Sequence, residues 1–249
     1  MLAHALTEPA AAESRPLALR ELPEPLPGPG QVRVRVHVCA VCRTDLHVIE
    51  GDLEPRRPGM VPGHQVVGTV DACGPGVDPA LLSARVGVAW LHGTCGLCAF
   101  CRSGRENLCD NATFSGYSEP GGYAQWMLAR ADFVYPIPEG MSDLHAAPLL
   151  CAGIIGYRTL ARTQLRSWAG ARLGIYGFGA AGHIAIQIAR ARGAEVYVAT
   201  REASHRELAR EAAQFLEVAV GLALQARHAG DRGEARFEHA RGEGLREVV

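Results

Sequence analysis

The 249 residues carry 25 basic and 26 acidic side chains, a net charge of −1, and are 48% hydrophobic and 20% charged. That is ordinary globular composition, enough for one large domain or two ordinary ones, with the charges too interspersed for a nucleic-acid surface and no apolar run of membrane-spanning length. The opening MLAHALTEPAAAESRPL lacks a basic start followed by an apolar stretch, so no signal peptide and no membrane partner are expected; the expected location is the cytoplasm, where thiols stay reduced, which turns the eight cysteines toward metal binding or catalysis.

In chain order, LPEPLPGPG (22–30) is a stiff, turn-rich entry, and QVRVRVHV (31–38) alternates strictly, as a half-buried strand does. Residues 59–130 continue as short Val-rich runs broken by Gly and Pro, among them HQVVGTVDACGPG, RVGVAW and GGYAQWMLA. Strands at that spacing predict a barrel-like or sandwich β domain. Within this region, Cys95, Cys98, Cys101 and Cys109 have the spacing C-x2-C-x2-C-x7-C. Two-residue gaps let a loop curl until its sulfurs meet around one tetrahedral point, about 2.3 Å from each. Gly96 and Gly104 permit the tight backbone this needs. Four sulfurs leave no coordination position for a substrate, so the site reads as structural. Zinc is favoured, and an iron–sulfur cluster is set aside on the flanking motifs described below.

Near residue 140 the pattern changes. SDLHAAPLLCAGIIGYRTLAR (142–162) starts with Ser142 as an N-cap and runs helical, interrupted near Pro148 and Gly153. RLGIY (172–176), GFGAAG (177–182) and EVYVATR (195–201) then predict strand, glycine turn, helix and strand. The first of these helices has Ile184, Ile188 and Ala191 as its apolar face. A second helix from about Ser204 has Leu208, Ala212, Phe215, Leu216 and Ala219 as its stripe. Residues 227–249 mix charges densely with four glycines and predict a frayed or disordered tail.

Gly177, Gly179 and Gly182 follow an apolar strand and open an apolar helix, the context that seats a pyrophosphate on a helix N-terminus. About 20 residues further on, the position that holds the ribose hydroxyls in such folds falls at Arg201, a cation suited to a 2′-phosphate. NADP is therefore expected, with NAD the alternative should the adjacent Glu202 take that place. Elsewhere, Cys42, His64 and Cys151 supply two cysteines and a histidine. That set is used at catalytic zinc sites with an open fourth position, although each residue alone reads as packing or surface.

Taken together and in order, CRTDLHV with its following Glu50-Gly51, PGHQVVG, the four-cysteine lobe, GGYAQW, LLCAG and the glycine turn resemble the zinc-containing alcohol dehydrogenases of the medium-chain dehydrogenase/reductase family. The likeness covers roughly residues 20–210 and is nearest to bacterial members acting on primary alcohols and aldehydes. The glycine position that leads the first motif is taken here by Cys39-Ala40. The resemblance implies a GroES-like β-barrel catalytic domain (1–145), an incomplete Rossmann domain (146–226) and the charged tail (227–249), with the active site in the cleft between the domains. It implies two zinc ions per chain: one in the four-cysteine lobe, and a catalytic one on Cys42, His64 and Cys151. Zinc would act as a Lewis acid on a small alcohol or aldehyde, with Thr44 contacting the hydroxyl, His47 continuing a proton relay to solvent, and Asp45 orienting His64. Trp90, Leu91 and His92 follow a strand and are candidates to line a substrate pocket. Cys39 and Cys73 fit no ligand position and are expected to pack. Gln65 stands where relatives often carry Glu, which makes the zinc environment less negative without removing a primary ligand.

Such Rossmann domains have about six parallel strands, whereas only two are evident here. The expectation is thus a shortened or frame-shifted chain, likeness ending near residue 214, with apolar strand surface left exposed in IYGFG and VYVAT. A catalytically inactive zinc-binding remnant is the alternative reading. Homo-oligomers form in this family through the Rossmann sheet edge, which is among the parts not evident.

Overall fold

A computed structural model describes residues 1–53 and 57–212. The charged tail, and the part of the last expected helix that holds Phe215, Leu216 and Ala219, lie outside the described residues. The chain divides into two compact units, Met1–Cys151 and Ala152 onward.

The first unit runs β1 (Leu2–Leu6), β2 (Leu17–Glu21), β3 (Gln31–Cys39), α1 (Arg43–Glu50), β4 (Val66–Cys73), β5 (Arg85–Val88), β6 (Leu91–Gly93), α2 (Ala99–Arg102), β7 (Thr113–Phe114), β8 (Trp126–Arg130), β9 (Val134–Pro136) and α3 (Asp143–Ala146). A single 3-10 turn, Ala147–Leu150, then leads to Cys151. Five strands form an antiparallel sheet in the order β8-β3-β4-β5-β9. The alternation in β3 is realised as expected. Val32 and Val34 are fully buried with Val66, Val70, Val86, Val88 and Met127 in one core. On the other face Arg33 binds Asp71, which also accepts a 2.7 Å bond from Trp126 Nε1. Two register shifts between β3 and β4, at Arg33/Val34 and Val36/Val38, interrupt the ladder and curl the sheet. Cys39 and Cys73 pack against this core, as expected of them.

The second unit begins with α4 (Ala152–Arg162) and continues β10 (Arg172–Tyr176), α5 (Ala180–Ala191), β11 (Glu195–Ala199) and α6 (Ala203–Ala212). β10 and β11 pair in parallel, Leu173 opposite Val196 and Ile175 opposite Val198. These four residues share one face. Leu173 packs with Leu160, Ala185 and Ala189, and Val198 with Phe178, Ile186, Ala209 and Ala212. Exposure of strand surface is greatest on the opposite face, where Tyr176 is 81% exposed, while Ile175 and Val196 are partly buried. Two further expectations shift. The fully buried residues of α5 are Ala185, Ile186 and Ala189, with the expected Ile188 packed only partly buried against the same core, and in α6 Ala212 is buried as expected while Leu208 is exposed. The reason is close approach: a Cβ on Gly156 of α4 would lie 2.9 Å from the carbonyl of Ala181. At that separation Ala181 and Ala185 form the contact with α4, while Ile186 is buried separately with Phe178 and Val198. Among the described residues no single helix is long and apolar enough to cross a membrane.

Gly68 lies where β3 and β4 press together. A Cβ there would fall 2.3 Å from the Arg35 carbonyl oxygen and 2.7 Å from Val34 Cγ1. Gly68→Ala should therefore destabilise the first unit by about 1–3 kcal/mol through overpacking, read as a lowered denaturant midpoint at unchanged slope. Wild-type stability in that variant would show that the sheet yields more than its geometry implies.

Candidate metal centres and nucleotide site

α1 opens immediately after Cys42, so the Cys42 sulfur sits at a helix N-terminus, where backbone N–H groups and the helix dipole favour a thiolate. Three residues on, Asp45 reaches back: its Oδ2 accepts a 2.8 Å bond from the Cys42 backbone N–H, one arm of a capping box. Its Oδ1 accepts from the Gly63 N–H at 3.2 Å and stands 2.8 Å from His64 Nδ1. Asp45 is 2% exposed and His64 1%. His64 is brought in by a turn that only glycine can make, since Gly63 has φ +99° and a Cβ there would meet Tyr123 Cδ1 at 2.7 Å and Cys39 Sγ at 2.8 Å. With Nδ1 committed to Asp45, the buried Nε2 of His64 makes no hydrogen bond.

Cys151 completes the group, its sulfur 3.9 Å from that of Cys42, and the three ligand atoms of Cys42, His64 and Cys151 lie within 4.8 Å of one another. Tetrahedral coordination at about 2.3 Å puts sulfurs roughly 3.8 Å apart, so the spacing fits one ion. An orphaned imidazole nitrogen aimed at two sulfurs fits the same ion better than it fits a dry core. Electrostatics agree. A bond from the Cys151 thiol, then the nearness of the His64 ring, holds the Cys42 sulfur well below the ordinary thiol range, while Cys42 and burial push Cys151 up. For His64, burial alone would favour the neutral ring, but the Asp45 carboxylate and Cys42 sulfur outweigh it and raise its pKa to about 9.

Of the other expected residues, Thr44 and Trp90 stand against this trio. Thr44 Oγ1 is 3.8 Å from Cys42 Sγ. His47 lies one turn along α1, half-exposed, with its Nδ1 2.7 Å from Asp52 Oδ2. Trp90 meets the His64 ring edge-on, centroids 5.0 Å apart, and stacks on Phe114 and Tyr117, so it walls the histidine. His92 is buried with Nδ1 unpaired, and burial lowers its pKa. Leu91 pairs with Phe114 in the small β6–β7 sheet. Gln65 is buried, and its backbone carbonyl accepts from Ala40. Burial pushes the Cys39 thiol up to about 12, in keeping with an inert packing residue. Two contributors escape sequence reading. Tyr123, in the GGY motif, buries its hydroxyl beside Asp45, whose charge adds to burial in raising its pKa. Asp52 is marked only by its position five residues after His47.

The four-cysteine lobe gathers as its spacing predicts. Cys98 and Cys101 sulfurs are 3.5 Å apart, Cys95 and Cys109 3.5 Å, and Cys95 and Cys101 3.9 Å. Gly96 and Gly104 both take positive φ. Backbone N–H groups of Leu97 and Cys98 draw the Cys95 thiol down to about 6.

In the second unit, Gly177 has φ +83°, a Cβ on Gly179 would meet nothing within 4 Å, and one on Gly182 would touch the Gly177 carbonyl at 3.3 Å. These are the three glycine roles of a dinucleotide turn: the tight bend, open room before the helix, and close helix–strand packing. Gly177, Gly179 and Arg201 line one open cleft with Glu202 and His205, and Gly182 is not part of its lining. Arg206 donates to the carbonyls of Thr200 and Arg201, holding the turn after β11.

The family description "Alcohol dehydrogenase GroES-like domain" matches residues 28–139. A Mycobacterium tuberculosis protein named "Probable alcohol dehydrogenase AdhA" is 48% identical over 214 residues, covering 84% of this chain and 61% of the relative. Acetophenone reductase from Geotrichum candidum, solved in complex with NAD, superposes with a TM-score of 0.74 at 32% identity, covering 87% of this chain and 62% of that one. A cobalt- and zinc-bound thermostable alcohol dehydrogenase from Pyrobaculum aerophilum superposes with a TM-score of 0.74 at 27% identity, over 85% of this chain and 62% of that one. The chain thus spans about three-fifths of the length of the proteins it matches.

Asp45→Asn should lower zinc affinity at the three-residue centre roughly 10- to 100-fold and leave the four-cysteine lobe loaded, as chelator competition will report. Equal loss at both centres would contradict the role given to Asp45. In the metal-free chain at pH 6, where an ordinary thiol of pKa about 8.5 hardly ionises, iodoacetamide should label Cys42 before Cys39 or Cys151. Peptide mapping that finds Cys151 labelled first would reverse the charge assignment.

Proposed function

The chain belongs to the medium-chain alcohol dehydrogenase family, and from that premise we propose that it is a zinc-dependent oxidoreductase moving a hydride between a small primary alcohol or aldehyde and NAD(P). The observation that carries this reading is the buried, unpartnered Nε2 of His64 directed at two sulfurs. A two-cysteine, one-histidine set leaves a coordination position open for substrate, where the four-cysteine set does not. In this reading the first unit is the catalytic domain and the second the dinucleotide-binding one, and each chain takes two zinc ions.

Zinc, when bound, would supply Lewis acidity that lowers the pKa of an alcohol oxygen, and the nicotinamide would supply the hydride chemistry. The protein does the rest. Cys42, His64 and Cys151 hold the ion, and Asp45 fixes the tautomer and direction of His64. Thr44, beside Cys42, would accept the hydroxyl proton of the alcohol while giving up its own toward His47. His47, paired with Asp52 at the surface, passes a proton to solvent. Gly177 and Gly179 give a pyrophosphate access to the N-terminus of α5. Arg201 favours NADP through its charge, and Glu202 in the same cleft is the competing residue that would favour NAD.

Purified chain should contain two zinc ions and reduce NADP⁺ when given a primary alcohol, with Cys42→Ser reducing turnover to background. Arg201→Ala should weaken NADP⁺ binding by about 1.5–3 kcal/mol, roughly 10- to 150-fold in Kd, and leave NAD⁺ binding unchanged. Two zinc ions with no reduction of either cofactor would leave only a zinc-binding remnant. Tighter NAD⁺ than NADP⁺ binding would transfer the specificity to Glu202.

A further inference from the structure

Asp45 binds the backbone of Cys42 and the ring of His64, whereas the third sulfur arrives on a different stretch of chain. Cys151 follows the 3-10 turn Ala147–Leu150, and its own N–H reaches only the Pro148 carbonyl, at 3.5 Å. Where its sulfur sits therefore depends on where residues 143–150 are docked. One anchor is apolar: Ala146, Ala147 and Leu150 are buried against Val67 and Ala89. β5 leaves no slack beneath them, since a Cβ on Gly87 would lie 2.6 Å from Leu150 Cδ2.

The other anchor is polar and sits at the first residue of α3. Asp143 Oδ2 is 2.9 Å from His37 Nδ1 on β3, and Asp143 Oδ1 accepts from Arg85 Nε on β5 at 2.7 Å. Arg85 also donates to the carbonyl of Met141 at 2.5 Å, closing the loop that leads into α3. The second ring nitrogen of His37 is 3.1 Å from Thr69 Oγ1 on β4. One carboxylate thus ties the start of the segment to three adjacent strands. Burial would raise its pKa, but the bonds from Arg85 and His37 prevail and hold it below the usual carboxylate range.

We infer that Asp143, bridged by Arg85 and His37, is a positioning residue for Cys151, fixing the segment that carries the third ligand as Asp45 fixes the other two. The inference rests on reading Cys42, His64 and Cys151 as one metal set. Its action is selective, because the anchor lies on the sheet face under α3 and its bonds run to His37 and Arg85 rather than to the four-cysteine lobe. Loosening it lets the Cys151 sulfur drift from the common point while the lobe keeps its own geometry.

The test uses the full chain loaded with cobalt(II), whose absorption separates a four-sulfur centre from one with two sulfurs and a nitrogen, and titrated with a chelator. Asp143→Asn keeps the side-chain volume and removes the charge. It should leave the lobe's spectrum and affinity unchanged and weaken the three-residue centre roughly 10- to 100-fold, with Asp143→Glu recovering part of the loss. Should Asp143→Asn not fold, His37→Leu, which spares the Arg85–Asp143 pair, should show the same selective loss in smaller measure. Unchanged affinity at the three-residue centre in a folded variant, or parallel loss at both centres, overturns the inference while leaving the proposed function intact. Cobalt held only in the lobe of the unsubstituted chain would overturn both.

Discussion

The buried carboxylate of Asp45 is the interaction on which the first unit's site depends. A charge that is 2% exposed must be compensated, and here the compensation is the construction of the site: the N-terminus of α1, the turn at Gly63 and the ring of His64 all spend a donor on it. The carboxylate therefore couples helix capping to imidazole orientation. Nδ1 of His64 is occupied, so Nε2 is the nitrogen left for a metal. The Cys42 sulfur, placed by the same helix end, is favoured as thiolate. The local rules of helix termination and the chemistry of metal ligation are met by one side chain.

What the chain reveals as text follows the distance over which each feature is encoded. The four-cysteine lobe is local, closed within fifteen residues by two positive-φ glycines, and its spacing alone announces it. Strand alternation in β3 was legible for the same reason, although the bulges that curl the sheet were not, since they answer to β4 across the ladder. Cys42, His64 and Cys151 are different: nothing local marks them, and in the sequence only the order of motifs joins them. The role of Asp143 was invisible to pattern, because its partners His37 and Arg85 come from strands far away in sequence, and that of Tyr123 because it meets Asp45 on a distant helix.

The second unit shows how periodicity can mislead. Ile184, Ile188 and Ala191 form a plausible stripe, yet Ile188 is only partly buried and the fully buried positions include Ala185, where Gly156 brings α4 close enough that a small side chain fits. Bulk advertises hydrophobicity, but absence of bulk advertises contact. The same economy governs the strands: Leu173 and Val198 are covered by helices on one face, while Tyr176 on the other stands in solvent.

Zinc K-edge X-ray absorption on a chain whose lobe is disabled by Cys98→Ser and Cys101→Ser most directly examines whether two sulfurs and one imidazole share an ion. The account predicts a single zinc with two sulfurs at about 2.3 Å, one histidine nitrogen at about 2.0–2.1 Å, and one further light atom. Absence of zinc from that variant, or a shell without the imidazole signature, would contradict it.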